Sequence, residues 1–279
     1  MAAITASDVN KLRQMTGAGM MDCKKALTEA EGDFEKAIDV LRKQGQKVAA
    51  KRADNTTSEG VVLINVSEDG TVGKLLALAC ETEPVSKIAD FNNLAQEILS
   101  VAVANSPADK EALLNLSLAD GRSVQEAMTE LVGKIGEKLD IVGYTQVTGE
   151  QVIPYIHSNN KLGVLVAMTN LNGIDVAEVG KDIAMQIAAM KPVALDKTGV
   201  DASIVEREIE IGKEQARAEG KPEAMLERIA IGKLERFYKD NTLLAQQFVK
   251  DNSLTIAQLL EKTGKGLTVK EFKRVGIGQ

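Results

Sequence analysis

The stretch Gly60–Cys80 reads GVVLINVSEDGTVGKLLALAC. Two aliphatic runs flank a polar centre, and Asp69-Gly70 is a dipeptide that turns a β-hairpin. The pattern returns at Gln151–Asn170, QVIPYIHSNNKLGVLVAMTN, which turns at Ser158-Asn159-Asn160. Gly73 and Gly163 open the matching second strands, GKLLALAC and GVLVAMTN. A helix of similar lettering follows each hairpin: Asn93-Leu94-Ala95-Gln96-Glu97-Ile98 in one case, Asp182-Ile183-Ala184-Met185-Gln186-Ile187 in the other. Aliphatic strands can look alike by chance, but the shared order strand, turn, strand, helix favours duplication of one α+β unit. The expected fold class is α+β.

Upstream of the first hairpin the periodicity is helical. Thr5 starts a capping-box-like TASD, and Val9 and Leu12 follow at helical spacing until Gly17-Ala18-Gly19 stops the run. A second helix carries Met20, Cys23, Leu27 and Ala30 on one stripe, and a third carries Phe34, Ala37, Ile38 and Leu41. On that reading Met20 is at least half buried and Met21, off the stripe, faces outward. Three helices in so few residues make a bundle with a thin core, the size of an appended binding module. The polar run Lys47–Ser58, KVAAKRADNTTS, reads as a linker.

Downstream, Ser203–Asp240 is densely charged and broken by Gly220-Lys221-Pro222. Ile204 and Ile211 supply a seam on its first half, and Leu226, Ala230, Leu234 and Phe237 one on its second, so it reads as an antiparallel helical hairpin. A helix near Thr255–Lys262 and a strand Leu267–Val275 follow. The expected domains are 1–54, a three-helix module; 55–142, a first core subdomain; and 143–279, a second that contains the hairpin 203–240.

Composition narrows the function classes. The chain has 279 residues, 44% hydrophobic, with no Trp and a formal net charge of −6. Such a surface repels nucleic acid and anionic membranes, and the slight basic excess of residues 1–54 is too small to announce RNA binding. Two distant cysteines, Cys23 and Cys80, without a signal peptide fit a reducing cytoplasm. No apolar run reaches the ~20 residues needed to cross a bilayer.

Catalytic chemistry finds little material. His157 is the single histidine and stands beside a hairpin turn, an ordinary place for a surface histidine. Two cysteines and one histidine are too few for a zinc site. Glu81 and Glu83 would share a face if their strand continued, but two carboxylates alone make a weak cation site. TGAGMMDCKKA (Thr16–Ala26) is glycine-rich yet follows a helix, and it lacks the GxxxxGK[ST] spacing of a phosphate loop. No catalytic residue, cofactor or metal is therefore expected. What remains is exposed and chemically quiet. Met21 is either a soft contact for a partner or a partly shielded surface side chain. Glu83-Pro84-Val85 makes a stiff, charged corner at the end of the first hairpin.

The stretch LRQMTGAGMMDCKKALTEAEGDFEKAIDVLRKQG (Leu12–Gly45) resembles the N-terminal signature of the bacterial elongation factor Ts family. ALACETEPVSK (Ala77–Lys87) is similar to its second signature, which commonly reads N-C-x-T-D-F-V-A. GKIGEKLDI (Gly133–Ile141), HSNNKLGVLV (His157–Val166) and IAMQIAAMKP (Ile183–Pro192) are similar to later blocks. The resemblance implies a ubiquitin-associated-like module, two related α+β core subdomains and a coiled-coil hairpin. It also implies a non-catalytic guanine-nucleotide exchange factor for elongation factor Tu, binding both its GDP-bound and nucleotide-free forms.

By position, the resemblance assigns the displacement of the partner's magnesium to Thr82, Glu83, Pro84 and Val85. It assigns further partner contacts to Arg13, Met20, Met21, Ile135, Gly136 and His157. The family's Asp-Phe pair is Glu83-Pro84 here, so the charge stays and the aromatic ring is missing. Two other readings stay open on the sequence: a protein- or RNA-binding scaffold that uses residues 1–54 without exchange activity, and a homodimer formed through the hairpin.

Overall fold

A computed structural model describes residues 4–278. Thr5 caps the first helix, α1 (Ala6–Thr16), by the box its spelling suggests. The Asp8 amide donates to Thr5 Oγ1 (3.2 Å), and the Asp8 carboxylate accepts the Thr5 amide (3.0 Å). Gly17, at φ 67°, ends α1 in the left-handed conformation that glycine adopts without strain. Helices α2 (Met20–Glu29) and α3 (Phe34–Lys51) complete the module. Its core is Val9, Leu12, Ala18, Cys23, Ala26, Leu27, Ala30 and Ala37.

Two expectations fail in this region. Met20 is exposed, at 44%, although Cys23 and Leu27 on its stripe are fully buried. It is the first residue of α2, and side chains tilt toward a helix's N-terminus, so it projects past the end of the bundle. Nor is 47–58 simply a linker. Helix α3 continues to Lys51, because Lys and Ala are good helix formers and because Val48 and Ala49 pack on the core beyond the module.

The hairpin β1 (Glu59–Val66) and β2 (Val72–Cys80) turns where expected. Asp69 Oδ1 accepts from Ser67 Oγ (2.6 Å) and from the Thr71 amide (3.0 Å). After the single turn α4 (Glu83–Ser86) come α5 (Ala89–Asn105), α6 (Lys110–Leu114) and α7 (Val124–Ile135). β3 (Leu139–Thr148) then pairs antiparallel with β2 and closes a sheet of order β1-β2-β3. The boundary expected at 142/143 falls inside β3, whose hydrogen bonds tie it to the first sheet.

The second half repeats the plan with β4 (Gln151–Ile156), β5 (Leu162–Thr169) and α8 (Ala177–Met190). The hairpin α9 (Ala202–Ala218) and α10 (Glu223–Asn241) is inserted next. A small ribbon of β6 (Gln247–Phe248) and β7 (Asp251–Thr255) follows, then α11 (Ile256–Thr263) and β8 (Thr268–Gly276), giving the sheet β4-β5-β8. Ile211, expected in the hairpin's seam, is exposed, and Gly212 and Ala216 are buried in its place. A Cβ on Gly212 would come 3.0 Å from Ala230 Cα, so the helices approach through their smallest residues.

The layers run helix, sheet, sheet, helix. The outer face of the first sheet packs on α5 and α7 around Phe91, Ile98 and Leu131. The outer face of the second packs on α8 and α11 around Ile183, Ile187 and Leu260. The inner faces meet through Val62, Leu75, Ala77, Val152, Leu165 and Ala167. A Cβ on Gly73 would lie 2.6 Å from Val152 Cγ1, and one on Gly163 would lie 2.6 Å from Val62 Cγ1. Gly73 and Gly163, Val62 and Val152, and Leu75 and Leu165 are all separated by the same sequence interval. The interface is thus pseudo-symmetric, and each half supplies the glycine that receives the other's valine. The bulges obey the same interval, lying at Ala77/Leu78 and at Ala167/Met168. The molecule is an α+β protein built on a duplicated unit.

Candidate functional site

Where β2 ends, Cys80 is fully buried, and its Sγ donates to Thr82 O at 3.3 Å. Burial, reinforced by the charge of Glu137, pushes its thiol up to about 12, so it stays protonated and unreactive near neutrality. The next residue, Glu81, turns back into the protein. Its two oxygens accept from Arg52 Nη1 at 3.1 and 2.9 Å, from Asn55 Nδ2 at 2.9 Å and from the Lys138 amide at 2.6 Å. Burial raises the Glu81 carboxyl, and these hydrogen bonds and the Arg52 charge outweigh that, leaving it below the usual carboxylate range.

Thr82 is the extended residue of the corner (φ −125°, ψ 152°). Its amide and hydroxyl both donate to the Glu137 carboxylate, at 3.1 and 2.6 Å. The chain then enters α4 at once, so Glu83 is helical and not extended as the proline after it suggests. Pro84 sits in the first turn, where its missing N–H costs no hydrogen bond and its fixed φ suits the helix. Asn92 Nδ2 donates to Ser86 O and Ile88 O, both at 3.0 Å, and closes the far end.

Thr82, Glu83 and Pro84 are exposed, while Val85 is half-buried against the first core. The tip is therefore the Thr-Glu-Pro triplet, with Val85 as its anchor. Glu83 pairs with Lys87 at 2.6 Å, and the Lys87 hydrogen bond and charge hold its carboxyl below the usual range. Glu81 and Glu83 thus point to different partners. Among the described residues no group of three or more His, Cys, Asp or Glu is placed to hold a metal ion.

The other expected contacts fall into two sets. Ile135 and Gly136 end α7 immediately before Glu137 and Lys138, which grip the corner; Gly136 is the helix cap, at φ 73°. His157 lies in the β4–β5 turn, exposed, its Nδ1 3.0 Å from the Tyr155 hydroxyl. That turn docks on the start of β1: the Val62 amide donates to Asn160 O (2.8 Å), and Lys161 pairs with Glu59. Glu59 stands opposite Cys80 in the sheet, so the His157 turn and the corner share one end of the molecule. The second set is on the module, where Arg13 is exposed, as are Met20 (44%), Met21 (64%) and Met15 (57%).

Met15 escapes the sequence reading, and so do Arg52, Asn55, Glu81, Glu137 and Lys138 as a group that holds the corner. Glu137 and Lys138 lie inside the block GKIGEKLDI, which is the one trace of them in the sequence.

Comparison with known proteins matches residues 81–279 to the family described as elongation factor TS. Proteins named elongation factor Ts are 68% identical over 277 residues in Cytophaga hutchinsonii and 57% identical over 276 in Amoebophilus asiaticus. The first alignment covers 99% of this chain and 100% of the relative, the second 99% of each. The Porphyromonas gingivalis protein of that name is 49% identical, over 98% of this chain and 97% of its own length.

The chain belongs to the elongation factor Ts family. It is a translation elongation factor, and the corner described above opens the part that the elongation factor Ts family model matches. No helix among the described residues is long and apolar enough to cross a membrane.

Proposed function

We propose that the chain is a guanine-nucleotide exchange factor for elongation factor Tu, acting in the cytoplasm. In this reading Thr82, Glu83, Pro84 and Val85 intrude beside the partner's nucleotide, displace its magnesium ion and disturb its phosphate-binding loop. Arg13, Met20 and Met21 hold the partner from the module. Ile135, Gly136 and His157 contact it around the corner.

The observation that carries this reading is a corner that is exposed at its tip and held at its base. Thr82 is gripped by Glu137, Glu81 by three groups, and α4 is closed by Asn92. A rigid element loses little conformational entropy on docking, so more of its contact energy goes into moving the partner's groups. Glu83 needs no chemistry for this. Its carboxylate repels phosphate oxygens and competes for the groups around a cation.

Exchange also requires linkage: if the factor weakens GDP binding, GDP weakens factor binding by the same ratio. The test is release of fluorescently labelled GDP from elongation factor Tu, with and without the chain. Release should accelerate, and added free magnesium should oppose it by stabilising bound GDP. Equal affinity for the GDP-bound and nucleotide-free partner, measured by titration calorimetry, would overturn the reading.

A further inference from the structure

The module does not hang freely from the core. A Cβ on Gly45 would come 3.0 Å from Thr129 O, and one on Gly133 would come 3.0 Å from Gly45 Cα, so α3 and α7 cross with their backbones in contact. From the module's core, α3 runs as one 18-residue helix, about 27 Å at 1.5 Å per residue. Immediately past its end stands Arg52, whose guanidinium meets both oxygens of Glu81. The following segment is held as well. Asn55 donates to the same carboxylate, and Lys138 Nζ donates to Ala53 O at 2.6 Å and Asn55 O at 3.0 Å. The Glu81 side chain is only 15% exposed, so its charge depends on these partners in place of water.

We infer that Arg52 and Glu81 are positioning residues, which transmit the seating of the N-terminal module to the corner. The inference rests on the exchange reading of the corner and names a part of its machinery. The chain of contact is unbroken. The module fixes α3, α3 fixes Arg52, Arg52 and Lys138 fix Glu81, and Glu81 is joined by one peptide bond to Thr82. From the other side Glu137 holds Thr82, from the same connection that supplies Lys138. A partner that binds the module thereby meets a corner whose position is already set. If Arg52 or the Glu81 charge is lost, the corner keeps its shape through Glu137 and Asn92 but loses its register to the module.

The test uses the full chain and the variants Arg52→Ala, Arg52→Lys and Glu81→Gln. Each is measured for the maximal rate of GDP release at saturating factor, for affinity to nucleotide-free elongation factor Tu, and for thermal melting. Arg52→Ala and Glu81→Gln should slow maximal release about 5-fold while affinity changes less than 2-fold. Arg52→Lys, which keeps the charge but replaces the guanidinium with a shorter ammonium side chain, should restore part of the rate. A cycle with the corner variant Glu83→Ala/Pro84→Gly gives the decisive comparison: Arg52→Ala should slow that background further by less than 2-fold. Full multiplication of the two effects would overturn the inference, since the two sites would then act independently. Wild-type release by Arg52→Ala and Glu81→Gln, with the corner variant slow, would overturn it too and leave the exchange reading standing. Wild-type release by the corner variant would instead overturn the corner's role in exchange, on which this inference rests.

Discussion

The two halves of the core begin alike and diverge where each middle strand ends. After β2 the connection is a proline-stiffened helical turn, gripped by Glu137 and, through Glu81, by Arg52 at the end of the module's long helix. After β5 it is a loop of left-handed residues, Asn170, Asn172 and Gly173 at φ 60°, 50° and 81°. One carboxylate from its own half holds it: Glu150 accepts from Thr169 Oγ1, the Asn170 amide and the Leu171 amide at 2.8–3.0 Å. Glutamates order both loops, two at the first and one at the second, but only the first is tied to another module. The scaffold is shared, and the specialised element is a connection, which can change without disturbing a sheet.

The largest effect should fall where the halves are still equivalent. Gly73→Ala and Gly163→Ala each place a methyl 2.6 Å from a valine Cγ1 across the sheet interface. Neither sheet can recede without opening the core that both share. Each change should cost about 3 kcal/mol, the upper end of ordinary overpacking, read from chemical denaturation midpoints. Equal losses would confirm that the two faces bear on each other symmetrically. A tolerated alanine at one position would show that the sheets can slide there.

A smaller contrast lies at the C-terminal ends of the helices that cover the sheets. Lys74 on β2, only 5% exposed, donates to Ala102 O (2.9 Å), Val103 O (2.8 Å) and Ser106 Oγ (2.7 Å) at the end of α5. In the other half the cation comes from the third strand: Arg274, paired with Val164, reaches Ala188 O of α8 at 3.4 Å. Lys74→Met takes the ammonium away from Ala102 O, Val103 O and Ser106 Oγ at the helix end, and should cost about 2 kcal/mol. Arg274→Met, which removes two longer hydrogen bonds to the Ala188 carbonyl, should cost less than Lys74→Met, about 1 kcal/mol by the same measurement. The reverse order would mean that the two cations do not serve the same end.

The duplicated sheets were legible because strand periodicity and turn dipeptides are local: Asp69-Gly70 and Asn159-Asn160 lie where the hairpins turn. Helix α3 runs past the start of the segment that reads as a linker, because KVAAKRA carries charges but its Ala and Lys favour helix. The holding of the corner left no pattern beyond the block GKIGEKLDI, which contains Glu137 and Lys138. Arg52 and Glu81 are 29 residues apart and Thr82 and Glu137 are 55 apart, so folding alone brings these side chains together. The corner itself was visible as Glu-Pro, but its helical turn was not, since proline disfavours helix in the residue before it and still suits a first turn.

The divergence of the two connections can be broken directly. Replacing Glu83 and Pro84 with Ala and Gly should slow GDP release from elongation factor Tu about tenfold, equivalent to about 1.4 kcal/mol of barrier. Replacing Asn170 and Asn172 with Gly keeps the left-handed backbone and should leave release within twofold of wild type. Equal slowing by the two pairs, in a stopped-flow displacement assay, would mean that both halves engage the nucleotide site.

The smallest effects should come from the module, whose surface contrasts with its core. Met20 and Met21 are adjacent, exposed at 44% and 64%, and both lie on the first turn of α2, where side chains project beyond the bundle. Cys23 and Leu27, one turn and two turns on from Met20, are sealed within it. Truncating an exposed side chain opens no cavity, so Met20→Ala and Met21→Ala should each shift folding stability by under about 0.5 kcal/mol. Each should weaken the complex with nucleotide-free elongation factor Tu by about 1 kcal/mol, as for ordinary interface side chains. Calorimetric titration and thermal melts on the same samples separate the two quantities. A Met20→Ala variant that binds normally but melts early would place Met20 in the core with Cys23, and the module's contact surface would then rest on Met21 and Arg13.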